Sequence, residues 1–270
     1  DIYLRAQNFE EAYDVNEIAA YSFAMENQIE KSIEKMQQVL NQRKEKFGDK
    51  DSRLALTYVR LANLYYYSNN KAKFEECLKL AHGFIESDKI PKLTLMQTLD
   101  ELSQIYKGIG NFKKAIELAQ FAKTKLDPVK DILNIAIINR DLGAMYLELG
   151  NVHEALKSFD TYIQIVSSEK DYSKQEIGSV LSMMSRSAEQ LGDLQRALKY
   201  SNQSCEVYQE GKDTQRSIEE NISLCYLYKK LKQSSEASKC IKKLQLKADA
   251  AKDIPQELKD YIQQILKDFK

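Results

Sequence analysis

A recurrence at nearly constant interval constrains this chain more than any single motif. A turn residue is followed five positions later by the residue that faces the next helix. The pairs are Asn27 with Ser32, Asn69 with Phe74, Gly110 with Ala115, Gly150 with Ala155, Gly192 with Ala197, and Lys232 with Ala237. Successive turns lie 42, 41, 40, 42 and 40 residues apart, and a fixed period in this range belongs to stacked supersecondary units rather than to one globular core. The stretch Asp141 to Val166 shows what each unit contains. Leu142-Gly143 precedes Tyr146, a Gly150-Asn151 turn follows, and Ala155 stands four before Phe159. These spacings describe two amphipathic helices joined by a tight turn. Gly143 and Ala155 let the two backbones approach, while Leu142, Tyr146 and Phe159 fill the space around the contact.

The same residues carry the L-G-x2-Y and A-x3-F halves of the tetratricopeptide repeat (TPR) pattern, and the chain resembles that family over nearly its whole length. The resemblance implies an all-α fold, a right-handed superhelical α-solenoid of TPR-like hairpins with a C-terminal capping helix. The common TPR unit has about 34 residues, so the longer period here lengthens each helix or linker. Residues 1–13 read as the end of a preceding helix or a partial repeat, with Phe9, Ala12 and Tyr13 on one side; 14–253 hold six units as one continuous solenoid; 254–270 form the cap. In that cap Leu258, Tyr261, Ile262 and Ile265 share a face, Asp253 can cap the start and Pro255 suits the first turn.

The repeats differ in quality. The first is degenerate, with Ala19-Ala20 and Phe23 in its first helix and Ile29, Met36 and Val39 in its second. The second places Phe74 where alanine is expected, which predicts helices pushed apart or tilted. The third, with Leu102-Ser103, Tyr106 and Ala115, is among the cleanest, and Pro128 starts or precedes the helix that follows. The fifth carries Leu181, Met184-Ser185 and Ala188, and the sixth Leu224-Cys225 and Tyr228. Tyr65, Tyr106, Tyr146 and Tyr228 hold one structural position.

Several function classes find no support. Forty basic residues balance forty acidic ones, whereas nucleic-acid binding usually shows a basic excess. No apolar run reaches the roughly 18 to 20 residues of a membrane span. There is no glycine-rich phosphate loop. The two histidines, His82 and His153, lie in different repeats and read as surface residues. Cys77, Cys205, Cys225 and Cys240 form no C-x-x-C pair, so neither a metal site nor a disulfide framework is expected. That cysteine usage suits a reducing, intracellular compartment and a cytoplasmic protein, although a chain that begins at Asp1 leaves a removed leader or effector domain open. No catalytic residue, metal ligand or cofactor is expected. Lys239, Lys242, Lys243 and Lys247 fall on one face of the last repeat's second helix and read as a solvated stripe, or as a patch for an acidic partner or a membrane surface.

The TPR resemblance implies a concave groove, lined by first helices, that holds peptides or extended segments of partner proteins. In the fourth repeat the groove positions are Ile137, Arg140, Ala144, Leu147 and Glu148, a stripe at steps of three and four. Alignment carries the stripe to Leu56, Val59, Asn63, Tyr66 and Tyr67 in the second repeat, and to Gln97, Asp100, Gln104 and Lys107 in the third. Ser182, Arg186, Glu189 and Gln190 continue it in the fifth, and Glu219, Ile222, Tyr226, Lys229 and Lys230 in the sixth. From these, Asn63, Tyr66, Tyr67, Gln104, Lys107, Arg140, Arg186 and Tyr226 form the expected binding set. The amides would bond a peptide backbone and the arginines a carboxylate. In Tyr65-Tyr66-Tyr67 only one ring can face the core, because each helical step turns about 100°. Chaperone-tail TPR domains use a carboxylate clamp of lysines and asparagines, and only Asn63 matches it. Bacterial TPR receptors for secreted signalling peptides, and kinesin light chains, are similar in unit length. The expected function is a non-enzymatic scaffold binding a protein or peptide partner within a larger assembly. The alternative is a peptide-responsive regulator of an attached or partner effector domain. Oligomeric state is left open.

Overall fold

The computed structural model describes residues 9–86, 90–169, 171–251 and 254–268. The side chains of Phe9 and Ala12 and the cap expected at Asp253 lie outside this set. Thirteen helices and no strand occur among the described residues. The chain comprises two compact units, 1–125 and 126–270.

The first unit holds α1 (Phe9–Met25), α2 (Ile29–Phe47), α3 (Leu54–Tyr67), α4 (Lys71–Glu86), α5 (Lys92–Gly108) and α6 (Phe112–Thr124). The second holds α7 (Ile132–Glu148), α8 (Val152–Val166), α9 (Lys174–Gln190), α10 (Leu194–Glu210), α11 (Thr214–Lys230), α12 (Ser234–Ala250) and α13 (Gln256–Asp268). Each odd-numbered helix from α1 to α11 pairs with the next as an antiparallel hairpin. The boundary expected at residue 13 falls inside α1, because Tyr13 is buried against Phe47, ring centroids 6.0 Å apart, and belongs to the first hairpin.

The turns explain the period. All six turn residues have positive φ: 61° at Asn27, 58° at Asn69, 76° at Gly110, 72° at Gly150, 77° at Gly192 and 58° at Lys232. Each closes the same pair of bonds. Asn151 N–H donates to Tyr146 C=O and Gly150 N–H to Leu147 C=O, and the other five turns repeat this at Phe23, Tyr65, Tyr106, Ala188 and Tyr228. This is a Schellman motif, which satisfies the orphan carbonyls of the first helix. The recurrent tyrosine therefore marks the residue whose carbonyl receives the bond. Asn70, Asn111 and Asp193 then cap the second helix, each side-chain oxygen accepting from the N–H three residues on.

Seven residues before each turn and five after it sits the close contact between the two helices. The pairs are Ala20/Ser32, Ala62/Phe74, Ser103/Ala115, Gly143/Ala155, Ser185/Ala197 and Cys225/Ala237, all buried. Two of them are hydrogen-bonded: Ser32 Oγ donates to Ala20 C=O at 2.7 Å, and Ser185 Oγ to Ala197 C=O at 2.9 Å. A Cβ at Gly143 would fall 2.4 Å from the Phe159 ring, so this position needs glycine. Gly178 plays the same part against Tyr208, at 2.6 Å, and no repeat motif announced it. The outlier Phe74 is buried and packs beside Tyr66, centroids 5.8 Å apart.

Two expectations about single residues are corrected. Cys225 on α11 and Cys240 on α12 form a disulfide, Cα–Cα 5.5 Å, while Cys77 and Cys205 are free and buried. The bridge joins the close-contact position of α11 to α12, which no local spacing encodes. With two of four cysteines bridged, cysteine usage ceases to argue for a reducing compartment. His82 is half-buried rather than a surface residue, its Nε2 3.0 Å from the Tyr106 hydroxyl across the α4–α5 step. His153 is exposed in the first turn of α8.

Burial, and secondarily the charge of Lys114, lowers the His82 pKa below its ordinary value of about 6.5. The unfolded chain therefore takes up the proton more readily. The stability His82 contributes is complete above about pH 6.5 and is lost as the pH falls through the lower folded value. Thermal melts of His82→Gln from neutral pH to pH ~5 should fall less steeply than those of the wild type. Parallel curves would show that the imidazole is not held neutral.

Candidate functional site

Three first helices of the N-terminal unit, α1, α3 and α5, enclose a cleft of about 420 Å³. It is lined by Ile18 and Tyr21 from α1, Arg60, Asn63, Tyr66 and Tyr67 from α3, and Glu101, Gln104, Ile105 and Gly108 from α5. Helix α3 packs against α2, α4 and α5, and ten of its fourteen residues are buried. A helix covered on nearly all sides is apolar nearly all round, so Leu56 and Val59, expected in the groove, lie in the core instead. The stripe reaches the surface only in the last turns of α3. There Tyr66 and Tyr67 are 44% and 67% exposed, with ring centroids 5.7 Å apart at 70°.

The floor of the cleft is an ion-pair network that sequence reading missed. Arg60 of α3 is held from both sides. Its Nη1 donates to Glu17 of α1, and its Nε and Nη2 donate to Oε1 of Glu101 of α5 at 3.0 and 2.9 Å. Glu17 is fully buried and also accepts from Thr57 Oγ1 at 2.5 Å. Arg43 of α2 approaches Glu17 at 3.5 Å and pairs with Asp14 at 2.6 Å. Burial opposes the charge on Arg60, but Glu17 and Glu101 outweigh it and raise its pKa. Burial raises the pKa of Glu101, with Arg60 pulling the other way and Glu17 and Asp100 adding to the rise. Tyr21 donates to the Arg60 carbonyl at 3.4 Å and is kept protonated by burial and by the charge of Glu101. A signal existed in the sequence: Glu17, Arg60 and Glu101 alternate in sign at about the repeat length along successive first helices.

Of the expected binding set, Asn63, Tyr66, Tyr67 and Gln104 meet in this cleft. Lys107 is half-buried and not among its lining residues. The other three belong to the second unit. Arg140 is engaged by Asp141 and by Glu176 of α9, both at 3.1 Å, which ties α7 to α9 and occupies the guanidinium meant for a partner carboxylate. Arg186 is exposed over a smaller cleft of about 270 Å³ between α9 and α11, with Ser182, Glu189, Arg216 and Glu219. At its base Glu220 accepts from Ser182 and Ser201 hydroxyls at 2.5 and 2.6 Å. Tyr226 is half-buried against the core around Cys225 and Leu244 and does not line that cleft.

The lysine stripe on α12 divides. Lys247 turns inward, its Nζ 3.1 Å from Ser217 Oγ and 4.0 Å from Cys205 Sγ, beside a cleft of about 520 Å³ between α10, α11 and the end of α12. Burial lowers its pKa, against the opposite effect of Cys205. Lys242 and Lys243 remain exposed, and Lys239 is paired with Glu236 at 3.8 Å. Among the described residues no group of histidine, cysteine or carboxylate side chains could hold a metal ion, and no helix is long and apolar enough to cross a membrane.

Residues 134–210 match the family model of the tetratricopeptide repeat, which covers the fourth and fifth hairpins. Comparison with curated proteins gave no match. Among solved structures, BtubC from P. vanneervenii is similar over 86% of this chain and 94% of its own, with 17% identity and a TM-score of 0.61. The signal-transduction ATPase PH0952 of Pyrococcus horikoshii, which has a tetratricopeptide repeat sensor, is similar over 92% of this chain and 37% of its own, with 17% identity and a TM-score of 0.64. The apo form of RapI is similar over 88% of this chain and 84% of its own, with 11% identity and a TM-score of 0.59. The helical hairpins are tetratricopeptide repeats in fold.

Proposed function

We propose that this chain, built of tetratricopeptide hairpins, is a non-enzymatic scaffold that holds an extended segment of a partner protein in the α1–α3–α5 cleft. The observation that carries this reading is the meeting of exposed aromatic rings and an unengaged amide over a rigid floor. Tyr66 and Tyr67 offer apolar surface at low conformational cost. Gln104 is exposed and its amide makes none of the described hydrogen bonds, so it is available to a peptide backbone. Arg60, by contrast, is consumed by Glu17 and Glu101 and serves as a strut that sets the spacing of three helices. A space of this volume accepts one or two side chains of a chain lying across it.

The test uses a partner first identified by pull-down and mass spectrometry and then purified. The double variant Tyr67→Ala with Gln104→Ala alters two exposed side chains, so its stability should stay within about 0.5 kcal/mol of wild type. Its affinity for that partner should fall at least about tenfold, as loss of an interface anchor does. Equal affinity of the two forms would overturn the assignment of this cleft. A second reading follows from the Pyrococcus ATPase, in which a repeat array of this fold is the sensor. Here a bound peptide would bias an effector domain attached to, or partnered with, the array.

A further inference from the structure

The charges beneath the cleft do not balance. Two guanidiniums, Arg43 and Arg60, serve three carboxylates, Asp14, Glu17 and Glu101. Glu17 is sealed, its side chain 1% exposed, and Asp14 does not line the cleft. The surplus negative charge that faces the cleft is therefore that of Glu101, whose side chain is 33% exposed. Both Arg60 bonds to it land on Oε1, which leaves Oε2 without a donor from Arg60. Asp100 is the residue before it, and adds charge of the same sign. From the neighbouring helix α3 the Tyr66 and Tyr67 rings line the same cleft, and among the described residues no lysine or arginine caps either ring. An aromatic face and a carboxylate oxygen on two walls of one cleft form a receptor for a cation on a flexible stem.

We propose that the bound segment presents a basic side chain, lysine or arginine, to this cleft, its cation lying against Tyr66 and Tyr67 and donating to Glu101 Oε2. The inference rests on the groove reading above and adds a chemical identity to the residue that is read. Selection works in both directions. A basic side chain gains the unshared oxygen, while an acidic one is repelled by Glu101 with Arg60 already occupied. It also departs from the carboxylate recognition that free arginines in the groove would have supplied.

The experiment is fluorescence polarisation with fluorescein-labelled, end-capped heptapeptide pools of randomised neutral flanks, their central residue fixed as lysine, arginine, norleucine or glutamate. Norleucine matches the length of lysine without its charge. The lysine and arginine pools should bind roughly tenfold tighter than the norleucine pool, and the glutamate pool weakest. Glu101→Gln and Tyr67→Ala should each erase most of the ratio between the basic pools and the norleucine pool, Tyr67→Ala weakening every pool as well because the ring is also an apolar anchor of the groove. Tyr67 is exposed, so its variant keeps the test decisive even if Glu101→Gln loosens the α3–α5 contact, which thermal melts would report. Equal binding of all four pools would overturn the basic preference and leave the groove reading standing. A preference for glutamate, or a lysine preference that survives both variants, would also overturn it. Failure of every pool to bind would remove the groove reading along with it.

Discussion

Phe159→Ala should lower stability by about 3 to 5 kcal/mol, the range for removing a large buried ring. Phe159 is 0% exposed on α8 and lies over Gly143 of α7, a position with no side chain to swing into the space left behind. The α7 backbone would have to move as a whole to close the void, and neighbouring Leu142, Met145 and Ala155 are themselves packed. Urea unfolding followed by far-UV circular dichroism measures the effect as a lowered midpoint. The reciprocal change, Gly143→Ala, drives a methyl into the ring and should cost about 1 to 3 kcal/mol by overpacking. Because the two positions touch, Gly143→Ala combined with Phe159→Leu should cost less than the sum of its parts. Strict additivity, or a midpoint unchanged by Phe159→Ala, would mean that the two helices do not meet at this contact.

Glu17→Ala is expected to be as severe, about 3 to 5 kcal/mol, for an electrostatic reason. The substitution removes the carboxylate that Arg60, Arg43 and Thr57 share. Arg43 and Arg60 have side chains only 5% and 17% exposed, so neither recovers full hydration when its partner is lost. Glu101 still pairs with Arg60, but α1 is no longer tied to α3 at this point. Glu17→Gln keeps an acceptor for the Thr57 hydroxyl and should fall between wild type and alanine. The urea midpoint again decides: a Glu17→Ala protein as stable as wild type would show that the network is not buried as described. Since the same network forms the floor of the cleft, Glu17→Ala should also blunt the preference for basic side chains, through the position of Glu101 rather than through contact.

The hairpins were legible because their determinants are local. A turn residue that enters the left-handed region, a small residue seven before it and another, small in every copy but Phe74, five after it all lie within a few turns of helix. Six copies at one interval make the pattern unambiguous even where Asn27, Asn69 and Lys232 replace glycine. The exposed tyrosines followed from helical geometry alone, since Tyr65 takes the core and Tyr66 and Tyr67 cannot.

What the sequence by itself determined is thus the class of fold, the register of the hairpins and the exposure of Tyr66 and Tyr67. Tertiary structure decided the rest. The division after Lys125 depends on how hairpins gather and is carried by no linker composition. The Cys225–Cys240 bridge, the inward turn of Lys247 and the burial of Leu56 and Val59 depend on which helix lies across the repeat. Most of all, Glu17, Arg60 and Glu101 come from three hairpins, 43 and 41 residues apart along the chain. Charged side chains look alike in sequence whether they are solvated or paired. Only the approach of α1, α3 and α5 spends the arginine on the scaffold and leaves a carboxylate facing the cleft, because ion pairing falls off within a few ångströms and so is fixed by the stacking of neighbouring helices.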